Sequence, residues 1–274
     1  MDNDYELIDS GNEKKLERFG PHIMERPCFQ AIWQPSKNEK VWNKAQYIFS
    51  REGRNLWKKR GNDDVWEIDF EGMKLKLSPT DFGHLGLFPE HKMLWKWMQT
   101  QIGKLTGEVN VLNLFAYTGC ATLAAAQKGA KVCHVDASKK SVAWAKENAA
   151  LNGLEKHPIR WIVDDALKFM KREAKRENHY EGIILDPPSF GRGAQGQLFK
   201  IEEHLMEMLS VAADLLKKKG KFLILSCHTP GISPLVLKRV VEQIWPGKKL
   251  SSGEMIVDGE NELPCGSYVR WSVC

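Results

Sequence analysis

Four acidic residues end or directly follow three short apolar runs of the chain. Asp136 ends KVCHVD, Asp164 and Asp165 follow IRWIV, and Asp186 ends GIILD. Carboxylates at such positions can accept hydrogen bonds from ribose hydroxyls or from the amino edge of a nucleobase. Any one of these acids alone would most often be a helix N-cap. Their recurrence after successive runs favours a nucleoside site.

A loop with a single glycine precedes these acids. The stretch NLFAYTG contains Gly119, whereas a dinucleotide site needs three glycines, and the bulky Phe115 and Tyr117 stand where small residues would be required. NAD, FAD and other ligands bound through phosphates are therefore disfavoured. One glycine turn with acids after the next two runs predicts a pocket for S-adenosylmethionine, which has a nucleoside and a sulfonium but no pyrophosphate.

The elements that carry these residues alternate regularly. Short apolar runs separated by amphipathic helices are typical of a parallel sheet covered on both faces, with ligands beyond the carboxyl ends of its strands. The tail, GEMIVDG and SYVRWSV, predicts two further strands. The predicted strands before the tail are VNVLNLF, KVCHVD, IRWIV, GIILDPP and KFLILSC, and the predicted helices cover 119–128 and 138–151 or begin near residues 165, 199 and 233.

The first part of the chain has a different character. From about residue 26 to residue 77, short apolar or aromatic runs separated by Gly, Pro, Asn and Asp predict short strands with turns, and residues 89–103 predict a helix. We therefore expect a β-rich N-terminal extension over residues 1–80 and a second domain over residues 81–274. Trp57 beside Lys58-Lys59-Arg60 suits an RNA-contacting surface, although so short a motif is more often a solvated loop over a packed Trp.

Composition limits the remaining classes of function. The chain is 42% hydrophobic and 27% charged, with a net charge of +5 and a pI near 8.8, which permits a polyanionic partner. No stretch approaches the roughly 20 apolar residues that cross a bilayer, so we expect a cytoplasmic protein. The oligomeric state is not indicated. Scattered cysteines without metal-ligand spacing predict reduced thiols and no metal site: Cys28, Cys120, Cys133, Cys227, Cys265 and Cys274.

Several segments together resemble a known family. NLFAYTG, VDASKKSVAWAKENAALNGL, the pair Asp165-Ala166 and DPPSF (186–190) are similar to class I S-adenosylmethionine-dependent methyltransferases that modify large-subunit ribosomal RNA. GHLGLFPEH (83–91) and LPCGSYVRWS (263–272) extend the resemblance over most of the chain. Within that group the chain most resembles the cytosine-C5 methyltransferases and their shortened relatives.

The resemblance implies a Rossmann-like α/β fold with a seven-stranded, mostly parallel sheet and an antiparallel last strand. It implies S-adenosylmethionine as methyl donor, S-adenosylhomocysteine as product, ribosomal RNA as partner, and Phe88 folding over the cofactor. The PUA domain of full-length relatives has no room before residue 26, which shifts expected RNA recognition onto the β-rich extension. The candidate cofactor-binding residues are Phe88, Asn113, Phe115, Tyr117, Thr118, Gly119, Asp136, Ala137, Ser138, Asp164, Asp165, Ala166, Asp186 and Pro187.

Two further segments are candidates for contact with the target base. Asp186 is expected beside the transferable methyl group, and Pro188 and Phe190 are candidate substrate-binding residues because the Pro-Pro turn fixes backbone carbonyls while Phe190 offers a stacking face. Cytosine C5 has no lone pair, so its methylation needs a thiolate that adds to C6. Cys227 ends the fifth strand, beside the DPPSF strand, and is the candidate nucleophile, although a buried inert thiol is the commoner fate of a cysteine.

Other functions stay open from the sequence. A nitrogen methyltransferase acting on guanine or another base would use the same Asp-Pro-Pro loop without a nucleophile. An RNA-binding protein without turnover, using its basic and aromatic first half, is a hypothesis of another class. It would bind RNA but not the methyl donor, whereas an NAD-linked oxidoreductase would bind NAD tightly.

Overall fold

The computed structural model describes residues 4–51, 56–192 and 198–273. The chain forms two compact units, a first unit of Met1–Lys92 with Ile256–Cys265 and a second unit of Met93–Met255 with Gly266–Cys274. The division into domains near residue 80 stays a prediction. Among the described residues, no helix is long and apolar enough to cross a membrane.

The first unit contains a five-stranded sheet with the strand order β1-β2-β3-β4-β5 and a separate two-stranded hairpin, β6-β7. Side chains alternate between buried and more exposed along HIMERP and WEIDF, as expected for strands with one face on a core. The elements are β1 (Tyr5–Gly11), β2 (Lys14–Phe19), β3 (His22–Pro27), α1 (Glu39–Trp42), β4 (Tyr47–Ser50), β5 (Leu56–Lys59), β6 (Trp66–Phe70) and β7 (Met73–Leu77).

The β structure begins earlier than the sequence predicts. The strands were expected from about residue 26, but β1 and β2 already form a hairpin from Tyr5 to Phe19. Its two turn residues, Asn12 and Glu13, have φ values of 51° and 60°, which is the left-handed geometry of a type I′ turn. Such a turn usually has Gly at its second position. Because Glu13 occupies that position, the sequence pattern does not predict this hairpin.

The second unit is built on a seven-stranded sheet with the order β10-β9-β8-β11-β14-β16-β15. Strands β8 to β11 and β14 are paired in parallel, and β16 is antiparallel to β14. This confirms the predicted Rossmann-like sheet with an antiparallel strand near its end. Its strands are β8 (Asn110–Leu114), β9 (Lys131–Asp136), β10 (Ile159–Val163), β11 (Gly182–Leu185), β14 (Phe222–Cys227), β15 (Ser251–Val257) and β16 (Leu263–Ser272), and a separate two-stranded sheet consists of β12 (Phe190–Arg192) and β13 (Leu198–Lys200).

Helices connect the parallel strands. The helix predicted over 89–103 is present as a 3₁₀ turn, Pro89–His91, followed by α2. A core of buried apolar side chains from α5, α6, α7 and the strands fills one side of the sheet, and it includes Phe169, Leu209 and Leu237. The helices are α2 (Lys92–Gly103), α3 (Cys120–Ala126), α4 (Lys139–Leu151), α5 (Ala166–Lys175), α6 (Ile201–Leu216) and α7 (Pro234–Ile244).

The register of the parallel strands determines at which edge of the sheet the candidate site lies. Pairing between neighbouring strands aligns residues at or near the carboxyl ends of five strands along one edge: Leu114, Val135, Ile162, Leu185 and Leu225. The strands end at these residues or within two residues of them, and parallel strands end on the same side of a sheet. This alignment brings the segments singled out in the sequence to one edge of the second unit.

Candidate active site

The loop that follows β8 has an unusual backbone. Phe115 and Tyr117 have positive φ values of 56° and 48°, although neither is Gly, and Gly119 has a φ of 90°. Non-glycine residues in this region cost on the order of 1 kcal/mol or more each and persist where the surroundings require them, often at functional sites. A Cβ on Gly119 would also lie 3.0 Å from Cβ of Ala145 on α4. The loop is therefore strained and tightly packed.

Buried polar groups hold this loop in place. The amide of Asn148, on α4, donates to the carbonyl of Thr118 at 2.9 Å. Below the loop, Asn113 donates to Thr122 Oγ1 at 2.9 Å, and Thr122 Oγ1 lies 2.9 Å from Nδ1 of His134. All these side chains are buried. Asn113 and Thr118, both candidate cofactor residues, thus have contacts that shape the loop.

Asp136 joins the ends of β8 and β9. Its two carboxylate oxygens accept from the backbone N–H groups of Tyr117 at 2.9 Å and Ser138 at 2.8 Å. Burial raises the pKa of Asp136, and these two donors offset the increase only in part. The N–H of Asp164 donates to the Asp136 carbonyl at 3.1 Å, which ties the end of β10 to the same point. The first three strand ends are therefore one connected structure.

The neighbouring polar residues also begin helices. Ser138 Oγ accepts from the N–H of Ser141 at 3.1 Å, and Asp165 Oδ1 accepts from the N–H of Lys168 at 2.9 Å. Both are N-caps, the ordinary role considered for such residues from sequence. Asp164 forms an ion pair with Arg172. Ala137 precedes the first cap and the buried Ala166 is the first residue of α5, so a ligand at this edge would lie over two helix N-termini.

These residues fit S-adenosylmethionine. Asp136 would supply carboxylate oxygens for ribose hydroxyls, and Asp164 and Asp165 would supply acceptors at the next strand end, where an adenine amino group would need one. The strained loop after β8 has one glycine and bulky aromatic neighbours, which suits a nucleoside with a sulfonium better than a pyrophosphate. When bound, the cofactor supplies a methyl group on a positively charged sulfur.

We expect the substitution Asp136→Asn to weaken S-adenosylmethionine binding by at least about tenfold, because a hydrogen bond to a charged acceptor contributes roughly 1.5–3 kcal/mol. Titration calorimetry with S-adenosylmethionine and S-adenosylhomocysteine measures the change. Glu155→Gln, at an exposed acid after α4, serves as the control and should leave both affinities unchanged. Equal affinities in Asp136→Asn and the wild type would show that this carboxylate does not hold the ribose.

The loop after β11 presents the second group of candidates. Asp186 Oδ1 accepts a hydrogen bond of 2.6 Å from Ser226 Oγ on β14 and lies 4.0 Å from Nε2 of His228. Pro187 is buried and Pro188 is exposed. Phe190 is 56% exposed, so its ring can contact a large substrate. The pair of prolines and the hydroxyl from β14 together fix the Asp186 loop.

Cys227 lies on the other side of β14. It is 1% exposed and belongs to the apolar core that contains Leu237. Burial raises the pKa of the Cys227 thiol, and the N–H of Thr229, which donates to Sγ at 3.4 Å, opposes that increase. Because successive strand residues point to opposite faces, it is Ser226 that reaches Asp186. The role of Cys227 as a nucleophile stays a prediction.

The other cysteines within the described residues are buried and unpaired by disulfides. Burial raises the pKa of Cys120 to about 12 and that of Cys133 to about 12, which makes both thiols poor nucleophiles. Cys274 lies outside the described residues. Phe88, at the N-terminal end of the turn Pro89–His91, belongs to the first unit, and its contact with the cofactor stays a prediction.

Two contacts were not found by sequence reasoning. Ser226 precedes Cys227 in a strand of apolar residues, and only the pairing of β11 with β14 shows that it reaches Asp186. Phe199, on β13, packs against Phe115 with ring centroids 5.4 Å apart. The hairpin β12-β13 therefore touches the loop after β8. The signal for that hairpin, Phe-Gly-Arg followed by a Gly-rich stretch, is weak.

The aromatic and basic stretches of the first unit are packed as the simpler interpretation expects. Trp57 lies against Phe49, with ring centroids 5.1 Å apart, and its Nε1 donates to the Thr80 carbonyl. Trp42 Nε1 donates to Asp9. Phe29 and Phe82 are instead rings available for stacking, since they are 55% and 68% exposed.

Comparison with known proteins identifies the family. The model of the S-adenosylmethionine-dependent methyltransferase family matches residues 21–249. A solved S-adenosylmethionine-dependent methyltransferase from Agrobacterium tumefaciens is 37% identical, with a TM-score of 0.94 over 99% of this chain and 91% of that chain. A methyltransferase solved with S-adenosylhomocysteine has a TM-score of 0.76 over 98% of this chain and 75% of that chain, and at 17% identity it supports the fold alone.

A curated relative extends the comparison. The ribosomal RNA large subunit methyltransferase K/L of Shewanella frigidimarina is 36% identical over 176 residues, which are 63% of this chain. The chain spans 24% of the length of that relative. From the family match and the Agrobacterium structure, the chain belongs to the S-adenosylmethionine-dependent methyltransferase family, and it is an enzyme that uses S-adenosylmethionine as its cofactor.

Proposed function

We propose that the enzyme methylates a base of RNA, with large-subunit ribosomal RNA as the substrate and the cytoplasm as its location. The observation that carries this proposal is the Asp186 loop, in which a carboxylate fixed by Ser226 lies four residues before the exposed ring of Phe190. A base flipped out of structured RNA needs such a stacking face and a polar group for its edge. The printed name of the Shewanella relative supports the same substrate.

The first unit offers a surface for the rest of the RNA. Phe29 is 55% exposed, and the guanidinium of Arg51 lies over its ring at 5.4 Å from the centroid. Aromatic rings and guanidinium planes stack with unpaired bases, and basic side chains meet phosphates. We assign RNA contact to this extension, residues 1–80, on those grounds.

One candidate chemistry is methylation of cytosine C5. The Cys227 thiolate forms a bond to C6, which makes C5 nucleophilic enough to accept the methyl group. Asp186 then takes the proton from C5, the electron pair of that C–H bond restores the C5–C6 double bond, and the thiolate leaves. The position of Cys227 at the end of β14, beside the strand that precedes Asp186, supports this route.

A second candidate chemistry is methylation of a ring or exocyclic nitrogen, such as a guanine nitrogen. The burial of Cys227, at 1% exposure, favours this alternative, because a thiol within an apolar core must first become exposed before it can attack a base. The nitrogen lone pair forms a bond to the methyl carbon as the carbon–sulfur bond breaks and S-adenosylhomocysteine leaves. Where the nitrogen carries a hydrogen, as N1 and N2 of guanine do, that proton goes to Asp186. N7 of guanine carries none, so its methylation needs no base and leaves a cationic ring. No covalent bond between protein and base forms on this route.

The proposed function is tested by transfer of an isotope-labelled methyl group from S-adenosylmethionine to ribosomal RNA, followed by mass spectrometry of the nucleosides. Labelled 5-methylcytidine supports the first chemistry, and a labelled methylguanosine supports the second. RNA as the substrate would be contradicted if the labelled methyl group were transferred only to protein. It would also be contradicted if RNA purified from cells that lack the gene accepted no label.

We expect RNA containing 5-fluorocytidine to form a covalent complex with the wild type if Cys227 attacks C6, because fluorine at C5 cannot leave as a proton does. Gel electrophoresis under denaturing conditions detects the complex. Cys227→Ser should abolish it, and Cys133→Ser, at a second buried thiol, should not. A wild type that methylates RNA but forms no complex would exclude the thiol route.

A further inference from the structure

The end of β14 presents two faces with different chemistry. Ser226 Oγ lies 2.6 Å from Asp186 Oδ1 and is 1% exposed, whereas Cys227 packs into the apolar core. Leu225 on β14 pairs with Leu185 on β11, so Ser226 and Asp186 are the next residues on two aligned parallel strands. The contact therefore follows from the register of the sheet.

We propose that Ser226 is a positioning residue that orients the Asp186 carboxylate toward the base, an inference that rests on the proposed function. The Ser226 hydroxyl has one proton and two acceptors in range, since the Leu185 carbonyl lies at 3.4 Å and the carboxylate at 2.6 Å. The shorter contact is typical of a charge-assisted hydrogen bond. With one carboxylate oxygen fixed, the direction of the other is fixed as well.

Two further contacts hold the other end of the same loop, one from the segment after β14 and one from the start of α6. Thr229 Oγ1 donates to Ser189 Oγ at 2.8 Å, and the N–H of Ile201 donates to the Ser189 carbonyl at 3.2 Å. The loop is thus bound on both sides of its proline pair. Ser226 differs from these residues because it contacts the carboxylate itself, so its loss should change the orientation of Asp186 more than the path of the loop.

A purely structural role for Ser226 makes a different prediction. The hydroxyl of a buried serine needs a partner, and the Leu185 carbonyl would be sufficient for that purpose. Removal of such a serine would lower stability and affect binding and turnover together. Removal of a positioning residue lowers turnover while cofactor affinity stays the same.

We expect Ser226→Ala to lower kcat for RNA methylation about tenfold, which is the scale of one oriented hydrogen bond, with S-adenosylhomocysteine affinity by calorimetry unchanged. Ser226→Thr, which retains the hydroxyl, should restore most of the rate. The control is Ser267→Ala on β16, a buried serine that donates to the Ile232 carbonyl at 2.9 Å and does not approach Asp186 in the described structure.

A second measurement needs no activity. The carbon-13 resonance of the Asp186 carboxyl, assigned by its absence in Asp186→Asn, should shift in Ser226→Ala and keep its position in Ser267→Ala. A wild-type kcat or an unshifted resonance in Ser226→Ala would overturn the inference. So would a loss of cofactor affinity and stability in Ser226→Ala large enough to account for its lower turnover. If the wild type methylates no RNA, the proposed function fails, and the resonance still decides whether Ser226 orients Asp186.

Discussion

Asp186→Asn is expected to lower kcat for methyl transfer to RNA by about 10²–10⁴-fold, the usual contribution of a general acid or base. Asn has the same shape and can still accept the hydrogen bond from Ser226, so the loop should keep its path. It cannot take a proton from the base, and this step is shared by the carbon route and by methylation of a nitrogen that carries a hydrogen. Turnover should therefore fall without a loss of folding.

The measurement is a single-turnover assay with saturating RNA and labelled methyl donor. S-adenosylhomocysteine affinity should fall far less than kcat, because Asp136 and the loop after β8 carry the contacts proposed for the nucleoside. Asp214→Asn, at an exposed acid on α6, is the matched control and should retain the wild-type rate. An Asp186→Asn enzyme within about threefold of the wild type would exclude proton transfer to this residue.

Arg26→Met is expected to lower the free energy of unfolding of the first unit by about 3–5 kcal/mol, the usual cost when one partner of a buried ion pair is removed and the other charge stays buried. Arg26 donates to Glu17 Oε2 through Nε at 2.9 Å and through Nη2 at 2.5 Å, and it also donates to the Gly83 carbonyl. Glu17 has no exposed surface. After the substitution, Lys15 is the remaining cation among the ion pairs of Glu17.

Urea unfolding followed by tryptophan fluorescence measures this loss. Arg18→Met is the control, because Arg18 pairs with Glu6 on the exposed side of the same hairpin and such pairs contribute at most about 1 kcal/mol. If Arg26→Met unfolded at the same urea concentration as Arg18→Met, the buried pair would not stabilise the unit.

The ion pair of Glu17 and Arg26 also makes the stability of the protein depend on pH. Burial alone would raise the pKa of Glu17, but Arg26 and Lys15 outweigh it and hold the pKa below its usual range. A group with a lowered folded pKa stabilises the protein above its unfolded pKa of about 4.3, and that contribution is lost as pH falls through the folded value. The urea concentration at the midpoint of unfolding should therefore decrease as the pH is lowered below about 4 in the wild type, and it should decrease less in Arg26→Met.

Much of the second unit could be predicted from the sequence. Continuous apolar runs between amphipathic helices indicated a parallel sheet, and strand ends in such sheets lie at one edge, which brought Asp136, Asp164 and Asp186 into one region. Alternation along a strand places Ser226 and Cys227 on opposite faces. The sequence could not say which of them faces Asp186, because that depends on the register between β11 and β14.

The first unit was less predictable, for a local reason. Its first hairpin turns at Asn12-Glu13, where Glu13 has the left-handed backbone that Gly usually provides, whereas its last turns at Glu71-Gly72, with Gly at the expected second position. Turn signals therefore placed the start of the β structure too late. The aromatic and basic stretch near Trp57 follows the simpler interpretation, because the Trp57 ring packs against Phe49.

The close approach of Gly119 and Ala145 has a consequence for the evolution of the family. The two positions share one small volume between the loop after β8 and α4, because a Cβ on Gly119 would lie 3.0 Å from that of Ala145. A change of Ala145 to Gly would create space, but the φ of 90° at position 119 still disfavours any side chain. Substitution is thus asymmetric: a smaller residue at position 145 would remove the close contact, but it would not make position 119 suitable for a side chain.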